Sequence, residues 1–132
     1  MIVNEHVEQY INSMEPDLPE YLEILEKHAI ETGVPIIRRS MQTLLKFLLI
    51  KEKPKRILEI GAAIGFSGLF MKEFAPADCE ITTIEKVEMR LVEARKNLAG
   101  KKGITLIEGD ASKVLEELAG NVTEEKKLIC LQ

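Results

Sequence analysis

From Arg56 onward the sequence alternates short β-type runs with helix-length stretches, and no other feature limits the fold as strongly. Arg56 to Ile60 (RILEI) is a compact apolar run entering a glycine-containing turn, and Gly65 to Phe74 continues with helical spacing. Glu80 to Glu85 (EITTIE) is rich in β-branched residues and reads as a second strand. Val87, Leu91, Ala94 and Leu98 line a helix that closes at Gly100. Ile104 to Glu108 (ITLIE) is a third strand, Ser112 to Ala119 a helix capped by Gly120, and Lys127 to Leu131 a fourth strand. Strands separated by helices of this length pair in parallel through right-handed crossovers. The expected class is α/β, Rossmann-like, with an incomplete parallel sheet of about four strands and helices on both faces.

The residues before Arg56 follow a different period. Val7 to Met14 reads as a short helix ended by Pro16, and Asp17-Leu-Pro-Glu20 has the form of a capping box. The next helix places Leu18, Tyr21, Leu22, Leu25 and Ala29 on one face and ends at Gly33. A third helix follows Val34-Pro35, with Met41, Leu44, Leu45, Leu48 and Leu49 at helical spacing facing the core, and it stops before Pro54. Residues 1–53 are therefore expected to form an N-terminal helical segment and residues 54–132 the sheet-bearing half-domain. A chain of 132 residues suits one domain with one core.

Open parallel sheets bind ligands beyond the carboxyl ends of their strands. Three strand ends in succession are acidic here: Glu59-Ile-Gly61, Glu85 and Gly109-Asp110. Gly61 and Gly65 let the first turn bend tightly and approach a ligand. Glu85 follows Gly65 by the offset at which a carboxylate can accept both hydroxyls of a ribose. Asp110 can accept from an adenine amine, and Ala111 can offer a backbone N–H to the ring. A dinucleotide would need G-x-G-x-x-G to bring a helix N-terminus to its pyrophosphate. The first glycine position is Glu59 instead, giving E-x-G-x-x-x-G. A carboxylate there repels a pyrophosphate but suits a ligand carrying an ammonium and a sulfonium, as S-adenosylmethionine does.

The segments ILEIGAAIGFSG, TTIEK and IEGDA, with GVPII upstream, resemble the cation-dependent O-methyltransferases related to catechol and caffeoyl-CoA methyltransferases. The bacterial branch is the nearer resemblance, particularly the tRNA 5-hydroxyuridine methyltransferases. The resemblance implies a class I methyltransferase fold and transfer of a methyl group from S-adenosylmethionine to a hydroxyl, on tRNA or on a small catechol-type molecule. It places Glu59, Gly61, Gly65 and Ser67 at the methionine end of the cofactor, Glu85 at the ribose, Asp110 and Ala111 at the adenine, and a backbone contact at Ile37. It also implies a divalent cation such as Mg, held by an Asp after the fourth strand and an Asp-Asn pair after the fifth. Here Gln132 falls at the first of those ligand positions, a poor replacement for a carboxylate. The chain reads as the cofactor half of such an enzyme, C-terminally truncated, with its metal and acceptor sites lacking. The alternative is a non-catalytic cofactor-binding or interaction module. An exposed fourth strand would favour homodimerisation by edge pairing in either case.

Composition excludes several other classes. The net charge of -4 provides no global field for nucleic acid or an anionic membrane. Cys79 and Cys130 lack metal-ligand spacing and read as a loop or strand-edge thiol and a core residue. The N-terminus is too polar for a signal peptide, and Leu44 to Ile50 is short and interrupted by Lys46, so a cytoplasmic location without a membrane partner is expected. His6 and His28 are expected on helix surfaces, and Arg38-Arg39 as solvated helix-end charges.

Overall fold

A computed structural model describes residues 4–14, 17–120 and, as backbone, 127–131. Three helices come first, α1 (Glu5–Ser13), α2 (Glu20–Glu31) and α3 (Arg39–Glu52). Strands and helices then alternate as β1 (Arg56–Ile60), α4 (Phe66–Phe74), β2 (Glu80–Glu85), α5 (Glu88–Leu98), β3 (Ile104–Glu108), α6 (Ala111–Ala119) and β4 (Lys127–Leu131). The strands form one parallel sheet in the order β3-β2-β1-β4. From β1 to β3 the chain steps steadily outward, and the connection to β4 then returns past β1. Right-handed crossovers therefore put α4 and α5 on one face and α6 on the other. The winding reverses beside β1, which is where an open sheet leaves a crevice at its carboxyl edge.

Burial alternates along the strands as a two-residue period demands. Ile57 and Glu59 of β1 are buried on the same face as Ile81 and Thr83 of β2. That face is covered by α4, whose Phe66, Phe70 and Met71 join Leu22 and Ala29 of α2 and Leu45 and Leu49 of α3 in one apolar cluster. The Phe70 and Phe74 rings meet at 4.8 Å between centroids, and the Lys46 ammonium lies 4.5 Å from the Phe74 ring centre. The helical segment thus packs on α4 rather than standing apart from the sheet.

The end of α2 shows why Gly33 stops it. Gly33 adopts φ +69°, its N–H donates to the Ile30 carbonyl, and the Val34 N–H reaches back to the Ala29 carbonyl at 2.9 Å. This pair of bonds satisfies carbonyls that the helix would otherwise leave open.

Several expectations need correction. The capping box does not form: α2 begins at Glu20 with Pro19 at its cap, no side chain caps it, and Asp17 lies too far upstream to do so. The Pro19 carbonyl instead accepts from Leu22 and Glu23. The inward stripe of α3 is Gln42, Leu45 and Leu49, while Met41 and Leu44 are exposed with Phe47 and Ile50. A polar residue takes an inside position because its amide is satisfied there. Gln42 Nε2 donates to Glu26 Oε2 (2.7 Å) and to the Ile37 carbonyl (2.9 Å). Arg39 is no free helix-end charge, since its guanidinium forks onto both Glu26 oxygens. Cys79 lies in the loop immediately before β2, with its side chain fully buried in the core cluster. The side chains of Cys130 and Gln132, and Pro16, lie outside the described residues. Among the described residues no helix is long and apolar enough to cross a membrane.

Candidate functional site

The site is built around the turn between β1 and α4. Gly61 and Ala62 donate their N–H groups to the Ile84 carbonyl at 2.8 and 3.1 Å, drawing the turn across the end of β2. The backbone then winds through positive φ at Gly61 (+93°), Ala63 (+47°) and Gly65 (+90°). Ala63 is the unfavourable member, because a side chain in this region costs roughly 1–2 kcal/mol. Its N–H donates to Glu85 Oε2 at 2.9 Å, a bond to a charged acceptor of comparable strength.

Gly65 has a packing task at this turn. A Cβ placed there would lie 3.1 Å from Leu98 Cγ of α5, so the missing side chain makes room for helix packing. Gly65→Ala is expected to cost roughly 2–3 kcal/mol, combining the positive φ with overpacking. Gly33→Ala shares the φ problem but meets nothing within 4 Å, so it should cost less. Urea denaturation of both variants measures the difference.

Glu59 lies beneath the turn and is fully buried. In the β1–β2 register it stands opposite Thr83, whose Oγ1 donates to its Oε1 at 2.6 Å. Ser67, in the first turn of α4, donates its hydroxyl to Oε2. Burial raises the carboxyl to about 7; the two hydroxyls pull it down and the charge of Glu85 pushes it up. Ser67 is itself buried. Each oxygen of Glu59 thus accepts from one hydroxyl beneath the turn. Thr83 was not among the candidates, although an inward hydroxyl two residues before Glu85, at strand spacing, was the available signal.

Glu85 closes the other side of the turn. It is 5% exposed and accepts from three backbone N–H groups: Ala63 at Oε2, and Lys86 and Val87 at Oε1, each at 2.9 Å. The next strand end is tied in by Gly109, whose N–H donates to the Glu85 carbonyl at 3.0 Å. Asp110, exposed, is the N-cap of α6: its Oδ1 accepts from the Ser112 N–H at 3.0 Å and from the Ser112 hydroxyl. The Ser112 hydroxyl, its N–H and the nearby Lys86 and Lys113 hold this carboxyl below its usual value. Its Oδ2 lies 3.9 Å from the Lys86 ammonium. Ala111 opens α6 beside it.

Glu59, Gly61, Ser67 and Glu85 are thus linked around one turn, with Asp110 and Ala111 on the adjoining strand end. Ile37 stands before α3, where its carbonyl accepts from Gln42. His28 is half-exposed on α2 and pairs with Glu93 at 3.2 Å. Among the described residues no group of three His, Cys, Asp or Glu side chains is placed to hold a metal ion.

Comparison with known proteins gives a consistent picture. A protein-family model described as O-methyltransferase matches residues 12–130. A Podospora anserina methyltransferase, solved with S-adenosylhomocysteine bound, superposes with a TM-score of 0.79 at 26% identity, covering 96% of this chain and 56% of that one. The Streptomyces achromogenes O-methyltransferase TomG, solved with S-adenosylmethionine, gives a TM-score of 0.81 at 24% identity, covering 99% of this chain and 62% of that one, a likeness of fold. Among curated sequences, the ribosomal RNA small subunit methyltransferase G of Fusobacterium nucleatum is 28% identical over 116 residues, 80% of this chain and 49% of that protein. The chain spans about half the length of that relative.

Proposed function

This chain belongs to the O-methyltransferase family, and on that premise we propose that it binds S-adenosylmethionine at the carboxyl edge of β1, β2 and β3. The observation that carries the proposal is the buried Glu85 carboxylate, held by three backbone N–H groups beside the glycine turn. An ionised carboxylate has about four lone-pair sites. With three taken by the backbone, a ribose diol can fill the fourth and compete for one more. Asp110 Oδ2, unused by the cap, and the Ala111 N–H would face the adenine. Glu59 supplies negative charge under the turn for the ammonium and sulfonium, with Gly61 and Ser67 nearest it and Ile37 contributing its backbone.

When bound, the cofactor supplies an already electrophilic methyl group, so the protein's contribution is alignment and exclusion of water. The acceptor would be a hydroxyl oxygen, of a tRNA wobble 5-hydroxyuridine or of a small catechol-type molecule, following the resemblance of the three strand-end motifs. A divalent cation would help deprotonate that acceptor. The described residues offer no ligand set for it. Edge pairing of β4 between two copies of the chain would give a homodimer.

Thermal unfolding tests the ligand assignment. S-adenosylhomocysteine at saturating concentration should raise the midpoint by several degrees, as selective binding to the folded state requires. NAD should leave it unchanged, and a reversed pattern would sink the proposal.

A further inference from the structure

The polar cluster beneath the glycine turn contains a residue that the cofactor reading does not use. We propose that Thr83 is a positioning residue for the cationic amino-acid end of the cofactor, acting through Glu59. The inference rests on the S-adenosylmethionine reading above. Thr83 is fully buried on β2, directly opposite Glu59 in the strand register, and its Oγ1 donates to Glu59 Oε1 at 2.6 Å. Ser67 on α4 donates to the other oxygen. Both hydroxyls therefore serve an acceptor-only, ionised carboxylate.

The surroundings otherwise oppose that charge. Burial and the neighbouring Glu85 on β2 favour the neutral acid, leaving the group poised near 7. A Cβ added at Gly68 of α4 would lie 3.8 Å from Oε1, so that helix offers no side-chain donor there. On β4 the register neighbour is Cys130, described as backbone. With Thr83 gone, Oε1 would face a buried space without a donor, and the carboxyl would neutralise rather than stay charged. Two consequences follow for the ligand. The fixed negative charge disappears, and Ser67 no longer has to aim its proton at Glu59. While that proton is committed, the remaining lone pairs of Ser67 are available to an ammonium.

The test uses Thr83→Val, which keeps shape and loses the donor, and Thr83→Ser, which keeps the donor. Carboxyl NMR of Glu59 without ligand should titrate near 7 in the wild type and in Thr83→Ser. In Thr83→Val the midpoint should rise by about one unit, the differential expected from one hydrogen bond to a charged group. Calorimetry with S-adenosylhomocysteine should show Thr83→Val binding roughly fivefold more weakly near pH 7, with the gap closing toward pH 9. An unmoved Glu59 titration, or equal weakening at every pH between about 6 and 9, would overturn the positioning role in favour of packing. Thr83→Cys keeps a weak donor of similar size and should shift the titration part-way. If the valine variant does not fold, an unshifted cysteine variant overturns the proposal. Failure of the wild type to bind S-adenosylhomocysteine would instead sink the cofactor reading, and the ligand-free titration tells the two failures apart.

Discussion

Glu85→Ala is expected to weaken S-adenosylhomocysteine binding by at least about 100-fold and to destabilise the free chain as well. The two losses have separate causes. A ribose diol bonded to a carboxylate makes charge-assisted hydrogen bonds worth roughly 1.5–3 kcal/mol each, so losing two costs at least about two orders of magnitude in affinity. The stability loss comes from the backbone. Lys86 and Val87 are exposed, and water can replace the carboxylate at their N–H groups. Ala63 is buried at positive φ, and without Glu85 its N–H has no such replacement. An unsatisfied buried donor costs about 1–3 kcal/mol. Calorimetry and urea denaturation on the same preparation measure both. A variant that binds as tightly as wild type would refute the ribose assignment, and one that is equally stable would refute the anchoring of the turn.

Glu59→Gln should have the opposite effect on stability. The folded chain holds the Glu59 proton up to about pH 7, whereas an unfolded carboxyl releases it near 4.5. Between those values the folded state binds the extra proton, so this group lowers stability as pH rises through the interval, and the loss is complete above about 7. Glutamine carries no such penalty. The variant is expected to exceed wild type by on the order of 3 kcal/mol at alkaline pH, and to match it near pH 4.5. Its affinity for the cationic cofactor should fall in the same range where its stability advantage appears. Denaturation midpoints across pH check the first expectation. A wild type at least as stable as the variant at pH 8 would show that the buried charge is fully compensated.

The strands were legible because each combines a β-branched or apolar run with a sharp breaker. RILEI, EITTIE and ITLIE occupy the observed β1, β2 and β3. The acidic residues at their ends were legible because a polar group at a parallel strand's terminus is rarely idle. What stayed hidden depends on partners distant in sequence. Thr83 looks like an ordinary strand residue until the register sets it against Glu59. The packing task of Gly65 shows only once Leu98 is seen filling the space beside it. Asp110 has a local capping role that Asp-x-Ser at a helix start could have suggested, since Ser112 supplies both donors. Along α3 the leucines misdirected the choice of inward face. Gln42 is satisfied inside by Glu26 and Ile37, and periodicity of apolar residues does not register such a pairing.

The central claim is that the turn from Gly61 to Gly65, with the acidic residues around it, is a pocket for S-adenosylmethionine. Calorimetric titration of the unmodified chain with S-adenosylhomocysteine at pH 8, where Glu59 is ionised, tests it most directly. A saturable one-to-one heat is expected. No heat at millimolar ligand, from a chain shown to be folded, would contradict it.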